Sequence, residues 1–438
     1  MIETDSFPKD MPNSLSCRLS QVLCIASLFA LAACRPRIAP ATSDYLYLWA
    51  GDSAEKASDF LAVIDANPAS AKYGSVVTTL PTGAVGTHPH HTEAEMPPNG
   101  HLLANGFHTG QTWLFDLTDP TRPKVMTEFG DRAGYSHPHT FLRLSNGNVL
   151  ATYQYRVDSS RAAHDMGAMK MGVEHATGGL VEMDERGMVV RSGSAVDAAI
   201  PDRRIYPYSV IAMRAVDRAV STTTNMDHED TISTAEWVQF WRLSDLTLLK
   251  SIALEPGPRG DEQKLTGEPH LLPDGKGVYI HTFSCGLYLV RGVESAAPTA
   301  TFVKGFQGMG CGVPILTGHW WLQLVPEAHA IVALDITDPE HPSEVSSVSL
   351  GTDEAPHWIA IDPSGRRVVL NSGGWSSHGF SKGNRLYVID FDPATGKLAI
   401  DARFRDPGSN RSGIAMTGRT WPHGFTGTAV PHGTVFSH

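Results

Sequence analysis

One short motif, proline followed by a ring-bearing residue, returns along this chain at the start of successive β-rich units, and this repeat constrains the fold more than any other feature. The clearest unit runs His90-His91-Thr92-Glu93-Ala94-Glu95, a turn at Pro98-Asn99-Gly100, His101-Leu102-Leu103-Ala104, Thr112-Trp113-Leu114-Phe115-Asp116 and Lys124-Val125-Met126. Four short strands between turn residues are the size of one blade of a β-propeller. The opening at Pro89-His90 recurs as His137-Pro138-His139-Thr140, Tyr206-Pro207-Tyr208-Ser209, Glu268-Pro269-His270-Leu271, Ala355-Pro356-His357-Trp358 and Trp421-Pro422-His423-Gly424, with a weaker copy at Cys311-Gly312-Val313-Pro314. These are seven openings. The first turn also repeats, as Ser145-Asn146-Gly147, Pro273-Asp274-Gly275 and Pro363-Ser364-Gly365. The third strand of a unit tends to end in Asp, at Asp65, Asp116, Asp184, Asp335 and Asp390.

The expected fold is therefore all-β, a seven-bladed β-propeller over residues 45–438. The N-terminal part offers three strands with no opening (Tyr45 to Trp49, Phe60 to Asp65, Ser75 to Leu80), while the last opening leaves room for little more than one strand. The C-terminal strand, near His423 to Val435, is then expected to complete the N-terminal blade, which closes the ring and removes exposed sheet edges. The 41 glycines and 29 prolines suit many tight turns, and 41% apolar residues suit a large core. A net charge of −11 with no long basic run argues against nucleic acid as a partner, since phosphate binding needs a cationic face.

Residues 1–34 read as a targeting segment and residues 35–44 as a linker. Val22 to Ala33 is an apolar run preceded by Arg18, too short to cross a bilayer and suited to the core of a signal peptide; Met11 is an alternative start. The run ends Leu31-Ala32-Ala33-Cys34, which looks like a bacterial lipobox with Cys34 as the lipidated residue. Arg35, rather than Asp, follows it, which favours the outer membrane. The expectation is a periplasmic lipoprotein that touches the membrane only through this anchor. Beyond the segment only Cys285 and Cys311 remain; in an oxidising compartment they suggest a disulfide, with two buried thiols or a pair of soft metal ligands as alternatives.

In a propeller the first strand of each blade lines the central channel, so the repeated position forms a ring around one mouth: His90 or His91, His139, Tyr208, His270, Val313, His357 and His423. One Pro-His is simply a good strand start. Several imidazoles converging on one axis would leave buried nitrogens unpaired, and a metal ion resolves this. An all-imidazole set suits copper, iron or zinc rather than magnesium or calcium. Glu93, Glu95, Glu268 and Tyr208 are expected to support such ligands. A Met-rich stretch, His164 to Gly172 followed by His175, reads as a loop over the channel mouth, or as a set of soft ligands for Cu(I). No nucleotide loop, Cys-x-x-Cys or Gly-x-Ser-x-Gly elbow is present.

Several stretches resemble the selenium-binding protein family, which includes copper-dependent methanethiol oxidases: Gly178 to Asp184, Tyr206-Pro207-Tyr208, Ala219 to Thr222, Val238 to Trp241, Leu334 to Pro339, and the close from Trp421-Pro422-His423 to Phe436. The resemblance implies His90, His91, His139 and His423 as metal ligands, copper as the ion, and oxidation of a small-molecule thiol by O2 to formaldehyde, hydrogen sulfide and peroxide. The chain departs from the family where a cysteine motif would follow the His-His pair, since Thr92 to Asn99 contains none. His270 and His357 rest on the repeat alone. A mononuclear iron oxygenase of the carotenoid-cleavage type and a non-enzymatic periplasmic metal-binding or scaffold propeller are the competing readings.

Overall fold

A computed structural model of the chain describes residues 43–157, 176–226, 235–373, 375–376, 379–380 and 383–438. Seven antiparallel sheets of four principal strands, six of them built from sequence-adjacent segments, form seven blades. Their inner strands are Ala429–Phe436, Pro89–Thr92, Tyr135–Arg143, Pro207–Met213, Thr266–Leu271, Ile315–Thr317 and Pro356–Ile361, for blades 1 to 7 in turn. Among the described residues there is no α-helix, only three short 3-10 turns.

Blade 1 is assembled from both ends of the chain. Its order from the channel outward is Ala429–Phe436, Tyr45–Asp52, Ser58–Asp65 and Val76–Val85, with Leu46 facing Phe436, Tyr47 facing Val435 and Leu48 facing Thr434. The expected closure is present. Its strand begins at Ala429, however, so Trp421-Pro422-His423 lies in the approach to it. Trp358 Nε1 donates to Thr434 O (2.8 Å) and Asn371 Nδ2 donates to His432 O, which fasten the closing strand to blade 7.

The core is a set of layers between blades rather than one central mass. Between blades 1 and 7, Leu46, Phe60, Val388, Phe404, Trp421 and Phe436 are buried together. Between blades 1 and 2, Trp49 and Trp113 pack with ring centroids 5.3 Å apart. Each such side chain, fully buried, contributes roughly 1.5–3 kcal/mol, so each blade is stabilised mainly by its neighbours. The strand-ending aspartates make the turns: the Oδ1 atoms of Asp65, Asp116, Asp184 and Asp335 each accept from the backbone N–H two residues on, at 2.8–3.0 Å. In blade 7 this role falls to Asp392 rather than Asp390 (Ala394 N, 3.0 Å).

The recurring proline has a structural reason. In six of the seven inner strands the ladder to the next strand shifts register at or beside it: at Pro89, Pro138, Pro207, Pro269, Pro356 and Pro431. Proline has no N–H to give the ladder, so an irregularity costs least there, and a bulge re-aims the side chain that follows. Polar residues on second strands then hold the openings of the next blade, as with Asn105 Nδ2 to Pro138 O (2.5 Å) and Gln154 Nε2 to Pro207 O (2.8 Å).

Candidate metal centre

His90, His91 and His139 are buried and bring one ring nitrogen each to within 4.8 Å of one another. His90 Nε2 and His139 Nε2 stand 2.9 Å apart. His139 Nδ1 donates to Tyr208 O (2.9 Å), which fixes the proton on Nδ1 and leaves Nε2 as an acceptor facing His90. The fourth imidazole is His432, with its ring centroid 4.1 Å from that of His90 and 5.6 Å from that of His91. His357 adjoins it, Nε2 to Nε2, at 3.1 Å.

The expectation for His423 is therefore corrected. His423 Nδ1 pairs with Thr79 Oγ1 (2.7 Å) on the outermost strand of blade 1, and its ring packs on Phe60 at 4.7 Å. The seventh inner-strand opening is Pro431-His432. The signal was in the sequence: Pro431-His432 is also a Pro-His pair, and it lies inside the strand able to reach Tyr45–Asp52, whereas Pro422-His423 precedes that strand.

The other expected residues divide. His357 joins the cluster. His270 lies edge-on to Trp321 at 5.2 Å, against the next blade, and does not reach His90 or His139. Tyr208 packs tilted against His139 (3.9 Å between centroids), with its hydroxyl 3.4 Å from His91 Nε2. Glu268 Oε1 lies 4.0 Å from His91 Nε2. Glu93 turns away because Arg143 and the Leu103 N–H hold both its oxygens, and Glu95 is exposed. Val313 stands at the blade 6 position, buried. Cys285 and Cys311 are joined in a disulfide, with Cα atoms 5.1 Å apart. Cys34 and the stretch His164 to His175 lie outside the described residues.

Two contributors were missed besides His432. Trp358 stands edge-on to His91 at 4.7 Å. His281, on the second strand of blade 5, reaches Glu268 Oε2 at 3.6 Å. It does so through the space left by Gly267, where a Cβ would come within 2.1 Å of the His281 ring.

Burial sets the electrostatics. Desolvation, then the neighbouring imidazoles, holds His90, His91 and His432 well below the ordinary histidine range. Burial lowers His139 to about 3, against the Tyr208 carbonyl, and His357 to about 4. Burial pushes Glu268 up to about 8 and, with Glu268 beside it, Tyr208 well above the ordinary phenol value. The imidazoles are thus neutral, the form that binds metals. Nδ1 of His90, His357 and His432 have no hydrogen-bond partner among the described residues. Two imidazole nitrogens at about 2.0–2.1 Å from a shared ion take up a separation close to that of His90 and His139. The residues fit a borderline or soft metal ion; His90, His91 and His139 bring their nitrogens close enough to one another to hold it, and His432, packed on His90, is the neighbouring imidazole that would complete the set.

The fold and this histidine channel define a seven-bladed propeller with a candidate metal centre. No protein-family profile matches the chain. It is 33% identical over 148 residues to a methanethiol oxidase from Hyphomicrobium sp, and 28% identical over 120 residues to selenium-binding protein 2 of Arabidopsis thaliana. These matches cover 32% and 24% of the chain, and the chain spans only 31% and 24% of the length of these relatives. In fold it is similar to a hypothetical selenium-binding protein from Sulfolobus tokodaii (TM-score 0.68, 15% identity, 91% of this chain and 94% of that one). It is also similar in fold to a periplasmic gluconolactonase from Pseudomonas aeruginosa (TM-score 0.55, 15% identity, 90% and 99%). The two sequence matches make part of the chain similar to selenium-binding proteins at modest identity, and the structural matches show the shared propeller fold.

Proposed function

We propose that this protein is a copper-dependent oxidase of methanethiol or a similarly small thiol, held in an oxidising compartment outside the cytoplasm. The observation that carries the reading is the buried cluster of His90, His91, His139 and His432, in a chain part of which is similar to a methanethiol oxidase. Copper in such a site supplies Lewis acidity, which lowers a thiol's pKa, and a redox couple. The protein's own part is threefold. Tyr208 O and the inter-blade bonds keep the imidazoles oriented. Phe107, Trp358 and Phe283 surround the histidines with aromatic rings, a wall suited to a small apolar substrate. Glu268, beside His91 and His281, keeps its own proton at neutral pH and so offers a hydrogen-bond donor beside the imidazoles.

The Cys285–Cys311 bridge supports export, because disulfides persist in oxidising compartments; the signal segment and Cys34 anchor read from the sequence agree with it. The test is metal analysis of protein purified without a histidine tag, followed by thiol-dependent O2 uptake and peroxide release. About one copper per chain with methanethiol-dependent peroxide is expected. Iron or zinc in place of copper, or copper without thiol turnover, would overturn the reading.

A further inference from the structure

A second set of imidazoles stands outside the buried four. His88 precedes Pro89-His90, and His108 lies in the turn after the second strand of the same blade; both are exposed. His88 Nδ1 and His108 Nε2 are 3.0 Å apart, with ring centroids at 4.3 Å. The His88 ring lies 5.7 Å from that of buried His90. His108, His88 and His90 therefore form a row of imidazoles from solvent to the buried cluster.

The backbone is built to hold this row. Phe107 N donates to His88 O and His108 N to Thr87 O, both at 3.0 Å. Buried Asp59 fixes Thr87 through its N–H (2.8 Å) and hydroxyl (2.6 Å). Gly106 permits the approach, since a Cβ there would lie 2.4 Å from Thr87 Oγ1. His88 itself adopts φ 57°, in the left-handed region. A side-chain-bearing residue before proline is normally extended, so this conformation persists only where the surroundings impose it. The same conformation recurs at His137 before Pro138, and at His88 it leaves the ring beside His108 and His90.

A metal ion bound for the buried site must shed its water before it meets His90, His91, His139 and His432. A pair of imidazoles at the mouth supplies ligands for that exchange. We propose that His88 and His108 form a second, weaker site for copper ions at the channel mouth, from which the ion passes by way of His90 to the buried histidines. The passage rests on the metal-centre reading above; the existence of the mouth site does not.

Two measurements separate these. In a His139→Ala/His432→Ala protein, whose buried site is dismantled, titration with copper alone should find about one weakly held ion, and adding His88→Asn and His108→Ala should abolish it. Asn tolerates the left-handed backbone, so the fold is kept. In protein with the buried site intact, His88→Asn/His108→Ala should slow copper uptake about tenfold or more, with the weakly held ion lost and the copper retained after desalting unchanged. If wild-type protein takes up no copper at the buried site but the dismantled protein binds one ion through His88 and His108, the mouth site stands and the oxidase reading falls. A dismantled protein that binds no copper, or uptake at the wild-type rate in the mouth variant, would overturn the proposal.

Discussion

The imidazoles of His90 and His432 stand with ring centroids 4.1 Å apart, one from the second blade and the other from the last strand of the chain. Closing the ring and completing the histidine cluster are thus one event. Gly433 makes the approach possible: a Cβ there would meet Thr92 N at 2.6 Å and His90 O at 2.9 Å.

Truncation after Trp421 should consequently abolish both the fold and the cluster. It removes Val435 and Phe436 from two inter-blade layers and leaves the edge of Tyr45–Asp52 unpaired. Losing one buried Phe side chain alone costs about 3–5 kcal/mol, a large share of a typical domain's stability. The expected outcome is no cooperative melting transition by circular dichroism. A truncated protein that melts like the full chain would contradict the closure.

The disulfide ties blade 5 to the opening of blade 6 across 26 residues. Closing a loop of that length restrains the unfolded chain by about 3–4 kcal/mol. Cys285→Ser/Cys311→Ser should lower stability to denaturant by roughly that amount, with the native circular dichroism spectrum retained. Free thiols at both positions in protein isolated without reductant would contradict the bridge.

Much of this was legible in the sequence because each blade repeats the same physical solution. Pro207-Tyr208 and Pro356-His357 could be aligned from residue types alone, since a bulge-tolerant proline and a channel-facing ring recur together. The choice between His423 and His432 could not be settled by the motif, which fits both; strand length and pairing register decide it. Glu93 and Glu95 lie next to the ligands in sequence, but the inner strand ends at Thr92 and the chain leaves the channel there. His281 was not legible, because it sits on a second strand and enters only through the missing side chain of Gly267.

The metal-free protein should show a two-sided pH dependence. His139 and His357, lowered to about 3 and about 4, stay neutral in the fold where the unfolded chain is protonated. Below about pH 6.5 the unfolded state therefore binds more protons, and stability falls with pH by about 1.4 kcal/mol per pH unit for each such histidine. Glu268, raised to about 8, acts oppositely: the fold keeps a proton the unfolded chain has lost, so stability falls as pH rises from the ordinary carboxylate range through about 8. Among these three groups, Glu268 alone acts between pH 6.5 and 8. Chelator-treated wild type should lose about 2 kcal/mol across that window, and Glu268→Gln should not show this loss. Equal slopes in denaturant titrations of the two proteins would contradict the placement of a buried, protonated Glu268.

The central claim is that the buried metal centre is made of His90, His91, His139 and His432, with the last supplied by the closing strand. Metal content per chain of His432→Ala, measured by mass spectrometry beside wild type, His423→Ala and His329→Ala, tests it most directly. His423 packs on Phe60 at the outer side of blade 1, and His329 bonds Glu354 O (2.7 Å) in a turn after Pro326–Ala328, so neither change should alter the bound metal. His432→Ala should lose most of it, with affinity down about 10–100-fold or more. Full metal in His432→Ala, or loss in His423→Ala with His432→Ala unaffected, would contradict the account.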